Sequence, residues 1–298
     1  MKDLIQEQRL RRLELTVTRR LDGLLRGQYA GLLPGAGTEI AGSREYRPGE
    51  DEVRRMDWAV TARTDTPHVR ETIAERELSV WVLVDATPSM DFGTADVEKR
   101  ELAVAAVAAV GFLTAGAGNR LGAEVMLPSG IRRFPARTGR AHLHGLLRTL
   151  LAIPRGTPGP TASLADSLTA LHRALRRRGL VVVVSDFLDD PKSWEPALRL
   201  LALRQQVIAI DVTDPRELTL PNVGVLTVID PETGRRRDVP TASRKVRARF
   251  AAAAAAQRDA VRVAIRRAGA AHLPLRTDRD WVADIVRHIH LQRRLARS

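Results

Sequence analysis

Residues 78–93, LSVWVLVDATPSMDFG, run an apolar stretch into Asp85, Thr87 and Ser89, three oxygen-bearing side chains at alternate positions of one turn. Two later stretches end in a similar way. GPTAS (159–163) offers Thr161, with Ser163 as the alternative, ahead of a helical pattern, and VVVVSDF (181–187) delivers Asp186. Together they supply two carboxylates and three hydroxyls, with no histidine or cysteine, which is donor chemistry for a hard cation. Mg²⁺ favours six oxygens, keeps several waters and takes only one or two carboxylates from a protein; Mn²⁺ or Ca²⁺ accepts similar donors. A coordination position is then left for a carboxylate from a partner. Taken singly, each of these residues reads better as a turn or helix cap. The metal reading rests on their recurrence at three segment ends.

The elements needed to bring those ends together are legible as alternating strands and helices. Strands are expected over 78–85, 121–127, 131–134, 180–186, 206–212 and 271–275. Helices are expected over 97–117, near 139–151, and over 162–178, 193–204, 242–268 and 280–296. This spacing predicts a mostly parallel, doubly wound α/β sheet covered by helices on both faces, with ligands collecting at the carboxyl ends of its strands. The turn DPETG makes 223–240 a hairpin insertion. Leucines and Val17 at helical spacing within 3–26 indicate an N-terminal amphipathic helix, and the Gly/Pro-rich segment 31–51 reads as extended or looped. The division expected is an N-terminal segment, 1–76, and a main domain, 77–298.

Composition narrows the classes. The 298 residues contain no cysteine, which excludes disulfides, zinc–thiolate and iron–sulfur sites and a cysteine nucleophile, and fits a reducing cytoplasm. The charged N-terminus is not a secretory signal. The uncharged run 102–119 is long enough for a minimal membrane span, but its Ala/Gly content reads as a helix buried against a sheet. The formal charge of +13 suits an anionic partner. Only Lys2, Lys99, Lys192 and Lys245 are lysines, however, and aromatic residues make up 4%, so the arginine excess reads as compositional bias and nucleic acid as an unlikely ligand.

Enzyme signatures are weak. No Gly-x-Ser-x-Gly elbow surrounds Ser89, His142 and His144 fall at a helix start, and His288 and His290 alternate on a helix, where they cannot chelate together. No Gly-Lys-Ser/Thr phosphate loop occurs. A Mg²⁺-dependent phosphatase of the haloacid-dehalogenase type needs a second aspartate where Thr87 stands.

DATPS (85–89) resembles the Asp-x-Ser-x-Ser motif of the metal-ion-dependent adhesion site of von Willebrand factor A domains, with Thr87 replacing the first serine. The resemblance implies that fold, makes Asp85, Thr87 and Ser89 metal ligands, and matches Thr161 and Asp186 to the second- and third-loop ligands. Leu164 follows Thr161 by three residues rather than two, a departure that keeps Ser163 as the fallback. A narrower resemblance lies upstream. Arg44, Tyr46, Pro48, Gly49, Asp51, Asp57 and Trp58 follow the signature of bacterial proteins grouped as domain of unknown function 58, with Glu50 in place of an Asp. Within that block Asp57 and Trp58, beside Arg54, Arg55 and Arg63, suggest a buried ion pair with a packed indole, or else a docking surface.

These resemblances imply a non-enzymatic, metal-ion-dependent protein-interaction module of the cytoplasm. Its implied partners are a MoxR-type AAA+ ATPase and a client protein that offers an Asp or Glu to the metal, in the maturation or assembly of protein complexes. A basic nucleic-acid-associated protein is the alternative from another class.

Overall fold

The computed structural model describes residues 11, 14–17, 19–20, 41–48, 53, 56–71, 78–114, 118–156, 162–231 and 233–297. The strands are β1 (Ala41–Glu45), β2 (His68–Glu71), β3 (Ser79–Asp85), β4 (Arg120–Leu127), β5 (Gly130–Arg137), β6 (Leu180–Ser185), β7 (Gln206–Thr213), β8 (Val225–Ile229), β9 (Arg236–Pro240) and β10 (Ala271–Arg276). The helices are α1 (Trp58–Thr64), α2 (Lys99–Thr114), α3 (Arg140–Ala152), α4 (Leu164–Ala174), α5 (Pro191–Ala202), α6 (Pro215–Leu218), α7 (Arg244–Arg267) and α8 (Trp281–Arg297).

Six strands form the central sheet in the spatial order β10-β7-β6-β3-β4-β5. All neighbours are parallel except β4 and β5, which pair antiparallel as Leu127↔Gly130 through Leu121↔Arg137. The chain therefore starts the sheet in the middle, at β3, winds outward to one side, and returns to wind outward to the other. This is a doubly wound, mostly parallel α/β arrangement, with one reversed strand at the edge. The reversed strand is longer than the expected 131–134, because only three residues after the end of β4 the chain turns back and pairs along nearly all of it.

Alternation along the strands builds two cores. Val80, Val82 and Val84 of β3, with Val182 and Val184 of β6, pack under α2, α3 and α8. Trp81 and Leu83, with Val181 and Val183, pack under α4, α5 and α7. Because both faces are covered, every residue of β6 is buried and its sequence is continuously apolar up to Ser185. The alanine-rich run of the candidate span is α2, in which Ala103, Ala105, Ala106, Ala108 and Ala109 are buried against this sheet. No helix of the described residues is long and apolar enough to cross a membrane. Small residues also set strand spacing here. An added Cβ at Gly122 would meet the Trp81 ring at 2.9 Å, and one at Gly179 would lie 2.2 Å from the Ser79 carbonyl oxygen.

The hairpin insertion is present as β8–β9, in register from Val225↔Pro240 to Ile229↔Arg236. Upstream, β1 and β2 pair antiparallel around α1. Helical backbone occurs at 14–17, where Val17 is buried in the first core and Glu14 pairs with Arg140. The expected packed indole is not what the structure shows: Trp58 is 66% exposed. Asp57 accounts for the difference. Its carboxylate is turned inward to cap α1, accepting from Ala59 N and Val60 N, and it takes the Ser43 hydroxyl at 3.0 Å. Trp58, at the first helical position, is thereby left pointing to solvent. Arg63 donates to the Ala59 carbonyl, and Arg54 and Arg55 lie outside the described residues.

Candidate metal centre

The strand order reverses between β3 and β6, and in such sheets the crevice opens at the carboxyl ends of those two strands. Asp85 ends β3, Ser185 ends β6, and Asp186 follows it. A cleft of about 120 Å³ sits there, and its walls include Asp85, Thr87, Ser89, Ser163, Asp186 and Asp189. The structure thus gathers four of the five sequence-derived candidates, Asp85, Thr87, Ser89 and Asp186, in one place. The fifth, Thr161, lies outside the described residues.

Each donor has a definite local cause. Pro88 starts a short 3₁₀ turn, Pro88–Met90, which folds the chain back so that Thr87 and Ser89 face the carboxylate they follow. Asp85 Oδ1 accepts from the Thr87 backbone N–H at 3.0 Å and from its hydroxyl at 2.6 Å. The Thr87 and Ser89 hydroxyls are 3.2 Å apart. Across the crevice, the Ser185 hydroxyl donates to Asp85 Oδ2 at 2.7 Å and accepts from Phe187 N at 3.2 Å. Phe187 holds the turn after Asp186 at φ +48, a left-handed conformation costly for a bulky side chain. Burial of its ring against Trp194, at a centroid distance of 5.1 Å, keeps it there. Ser163 also lines the cleft, but its hydroxyl caps α4, accepting from Asp166 N at 3.0 Å and donating to Asp166 Oδ2 at 2.8 Å.

A lysine that spacing alone did not indicate belongs to the same site. Lys99, the first residue of α2, is fully buried and donates to Asp186 Oδ2 at 2.8 Å and to Glu217 Oε1 at 2.5 Å. Glu217 in turn accepts from Asp214 N and completes a capping box on α6. Asp214, fully buried, receives the Thr94 N–H and hydroxyl and the Thr277 hydroxyl at 2.6–2.8 Å. The cleft therefore continues inward as a polar chain that joins β3, α2, β6, α6 and the end of β10.

Titration behaviour follows from this packing. Burial, and then the neighbouring Asp186 carboxylate, push the Asp85 carboxyl up to about 6 against the pull of its hydrogen bonds from Thr87 and Ser185. Burial and Asp186 likewise raise Asp189. For Lys99 burial acts to lower the ammonium, and Asp186 and Glu217 outweigh it, so the group sits above its usual value and is charged at neutral pH. Burial would also raise Asp214, but the donors from Thr94, Arg216 and Thr277 prevail and hold it below the usual range.

These residues fit a hard divalent cation in one specific sense. Asp186 and Glu217 share a single ammonium, and the Asp85 carboxyl stands beside Asp186, an anionic excess of two charges when all are ionised. Lys99 occupies one oxygen of Asp186, on the core side. The cleft side is lined by the Thr87 and Ser89 hydroxyls and by Asp85 and Asp189, whose hold on positive charge the Asp186 carboxylate strengthens. The histidines take other roles. His142 bonds the Leu121 carbonyl, His272 lies 3.3 Å from Asp211, and the His288 ring nitrogen Nε2 is buried without a partner.

An uncharacterized protein of Mycobacterium tuberculosis, Rv1480, is 53% identical over 285 residues, covering 96% of this chain and 89% of its own length. A Mycobacterium avium protein, the uncharacterized MAV169, is 47% identical over 162 residues, 54% of this chain and 95% of its own length. Among solved structures, BatB from Bacteroides thetaiotaomicron is 13% identical, with a TM-score of 0.39 over 73% of this chain and 99% of that one. The SpRpn10 VWA domain is 11% identical, with a TM-score of 0.40 over 70% of this chain and 94% of that one. Neither structural similarity transfers a residue role or a partner. The family described as "Protein of unknown function DUF58" matches residues 42–260, most of the central sheet and the upstream signature included, and the chain belongs to that family.

Proposed function

We propose that the protein is a non-enzymatic, metal-ion-dependent interaction module in which Asp85, Thr87, Ser89, Thr161 and Asp186 hold Mg²⁺, or Mn²⁺ or Ca²⁺ in its place. The observation that supports this is the cleft at the reversal of strand order, whose walls include two aspartates and two hydroxyls presented on one turn and the loop facing it. Thr161 is preferred to Ser163 as the second-loop ligand because the Ser163 hydroxyl is engaged with Asp166. When bound, the cation would supply an open coordination position for a carboxylate. The chain's own residues do the rest. Thr87 and Ser185 orient Asp85, Lys99 fixes Asp186, and the Phe187 turn holds the rim.

The reading extends to partners through family resemblance: a MoxR-type AAA+ ATPase and a client that presents an Asp or Glu to the cleft, in the cytoplasm. A hydrolytic role finds less support, since no histidine lines the cleft and the Ser89 hydroxyl is partnered by Thr87 rather than by a base. The test is capture of a purified MoxR-type ATPase, with and without a client peptide bearing a single acidic residue, on immobilised wild-type protein. Capture is expected in Mg²⁺, lost in EDTA and lost with Asp186→Ala. Capture that is indifferent to EDTA and to the substitution would contradict a metal-bridged contact.

A further inference from the structure

The opposite end of the same sheet carries a second surface. In a doubly wound sheet the helices run antiparallel to the strands, so the loops entering β6, β7 and β10 emerge together at the amino end. They read LRRRG (175–179), LRQQ (203–206) and RRAGA (266–270), with six arginines and no acidic residue. The loops are contiguous. The Gln205 side-chain amide donates to the Arg177 carbonyl at 2.9 Å, Gln206 N donates to the Gly179 carbonyl at 3.0 Å, and an added Cβ at Gly269 would touch Ala202 at 3.8 Å. Because β6, β7 and β10 are adjacent strands, their entries lie within about 10 Å of one another.

Arg176, Arg177, Arg178, Arg204, Arg266 and Arg267 are all exposed, and none has an acidic partner among the described residues. Arg199, Arg258, Arg276 and Arg287 pair with Glu195, Asp211, Asp278 and Asp284, whereas Arg235, Arg236 and Arg237 of the β8–β9 hairpin, like the six here, have no acidic partner among the described residues. What sets this face apart is that its six arginines meet at the entries of three adjacent strands with no acidic residue among them. One structural reason for cations here is that α4, α5 and α7 end at this face. Each helix end carries only about half a negative charge, roughly −1.5 in total, which leaves most of the +6 uncompensated.

The patch is also not purely polar. Leu203, between α5 and Arg204, is 71% exposed, and Leu200, one helical turn earlier, is 50% exposed. Leucines standing among unpaired arginines match a lipid interface, where guanidinium groups take phosphates and the apolar side chain enters the headgroup–acyl boundary. Nucleic acid would offer those leucines nothing, and the patch has no aromatic side chain on which bases could stack.

We infer that this amino-end face is a peripheral docking surface for an anionic phospholipid bilayer. Docking by this end turns the carboxyl end, with its acidic cleft, away from the membrane and leaves it open to protein partners. The inference is independent of whether the cleft holds a metal.

The test is co-sedimentation of the full chain with vesicles of phosphatidylcholine alone or mixed with phosphatidylglycerol. It compares wild type, the triple variant Arg176→Ser/Arg177→Ser/Arg178→Ser, a charge-matched control Arg235→Ser/Arg236→Ser/Arg237→Ser on the exposed β8–β9 hairpin, and Leu203→Ser. Circular dichroism verifies that each exposed-site variant is folded. Wild type should bind only the anionic vesicles. At about 1 kcal/mol per arginine near such a surface, the loop triple should bind about a hundredfold more weakly. The hairpin triple should stay near wild type, and Leu203→Ser should weaken vesicle binding while leaving any binding of a duplex oligonucleotide unchanged. Four results would overturn the inference: no binding to anionic vesicles, equal binding to neutral ones, equal loss from the two triples, or displacement from vesicles by the duplex at equal phosphate.

Discussion

Replacing Lys99 with methionine lowers the free energy of unfolding by about 3–5 kcal/mol in metal-free buffer, the largest single-residue effect expected of a polar side chain in this fold. The ammonium is fully buried and is shared between Asp186 and Glu217 at 2.8 and 2.5 Å. Removing it leaves two carboxylates in a low-dielectric interior, where the uncompensated charge, rather than the lost attraction, sets the cost. Glu217 is also tied to Asp214 N, so the disturbance reaches α6. A second substitution, Glu217→Gln, removes one of the stranded charges and should recover part of the loss. Excess Mg²⁺ should stabilise Lys99→Met more than wild type, because the cation then takes over from the ammonium in neutralising the Asp186 carboxylate. Urea unfolding of the three proteins with and without Mg²⁺ measures all of this. A loss below 1 kcal/mol in the single variant would show that Lys99 does not neutralise the site.

The second large effect concerns acid. His288 on α8 is buried, with Nε2 unpartnered, and burial, with His272 next, lowers its imidazolium to about 4 from 6.5. Above pH 6.5 both folded and unfolded forms are neutral at this residue, and it contributes nothing to the pH dependence. Between 6.5 and about 4 the unfolded chain takes up a proton that the folded one refuses, so stability falls as pH falls, by about 3 kcal/mol across the window. Asp85 works in the opposite direction, because its raised carboxyl binds a proton more readily when folded. The histidine contribution is therefore read from the difference between wild type and His288→Leu. The variant should gain about 3 kcal/mol on wild type between pH 7.5 and 4. Parallel pH profiles for the two proteins would sink the assignment.

Most of the fold could be read from residue order, for a physical reason. In β3 and β6 both faces are buried, so their apolar runs stand out from helices with longer periods, and polar turn residues mark each strand end. Asp85, Thr87, Ser89 and Asp186 were legible because they sit where those runs stop. Lys99 was not. It opens an apolar helix 14 positions after Asp85, in an element that spacing assigns to core, and its two acceptors are 87 and 118 residues away. The one available signal was rarity, since the chain has four lysines against a large excess of arginine. Ser185 stood in plain view beside Asp186, but its bond to Asp85 crosses 100 residues and depends on the strand order. The exposure of the Trp58 indole has a local cause that residue types do not reveal: Asp57 is committed to capping, which sends the next side chain outward.

The central claim is that the cleft holds a divalent cation through Asp85 and its neighbours. Calorimetric titration of Mg²⁺ into EDTA-treated and dialysed wild type, alongside Asp85→Ala, tests it most directly. The account predicts one saturable site in the wild type and none in Asp85→Ala, with circular dichroism showing both folded. Equal heats in the two proteins, or no binding to the wild type at millimolar Mg²⁺, would contradict it.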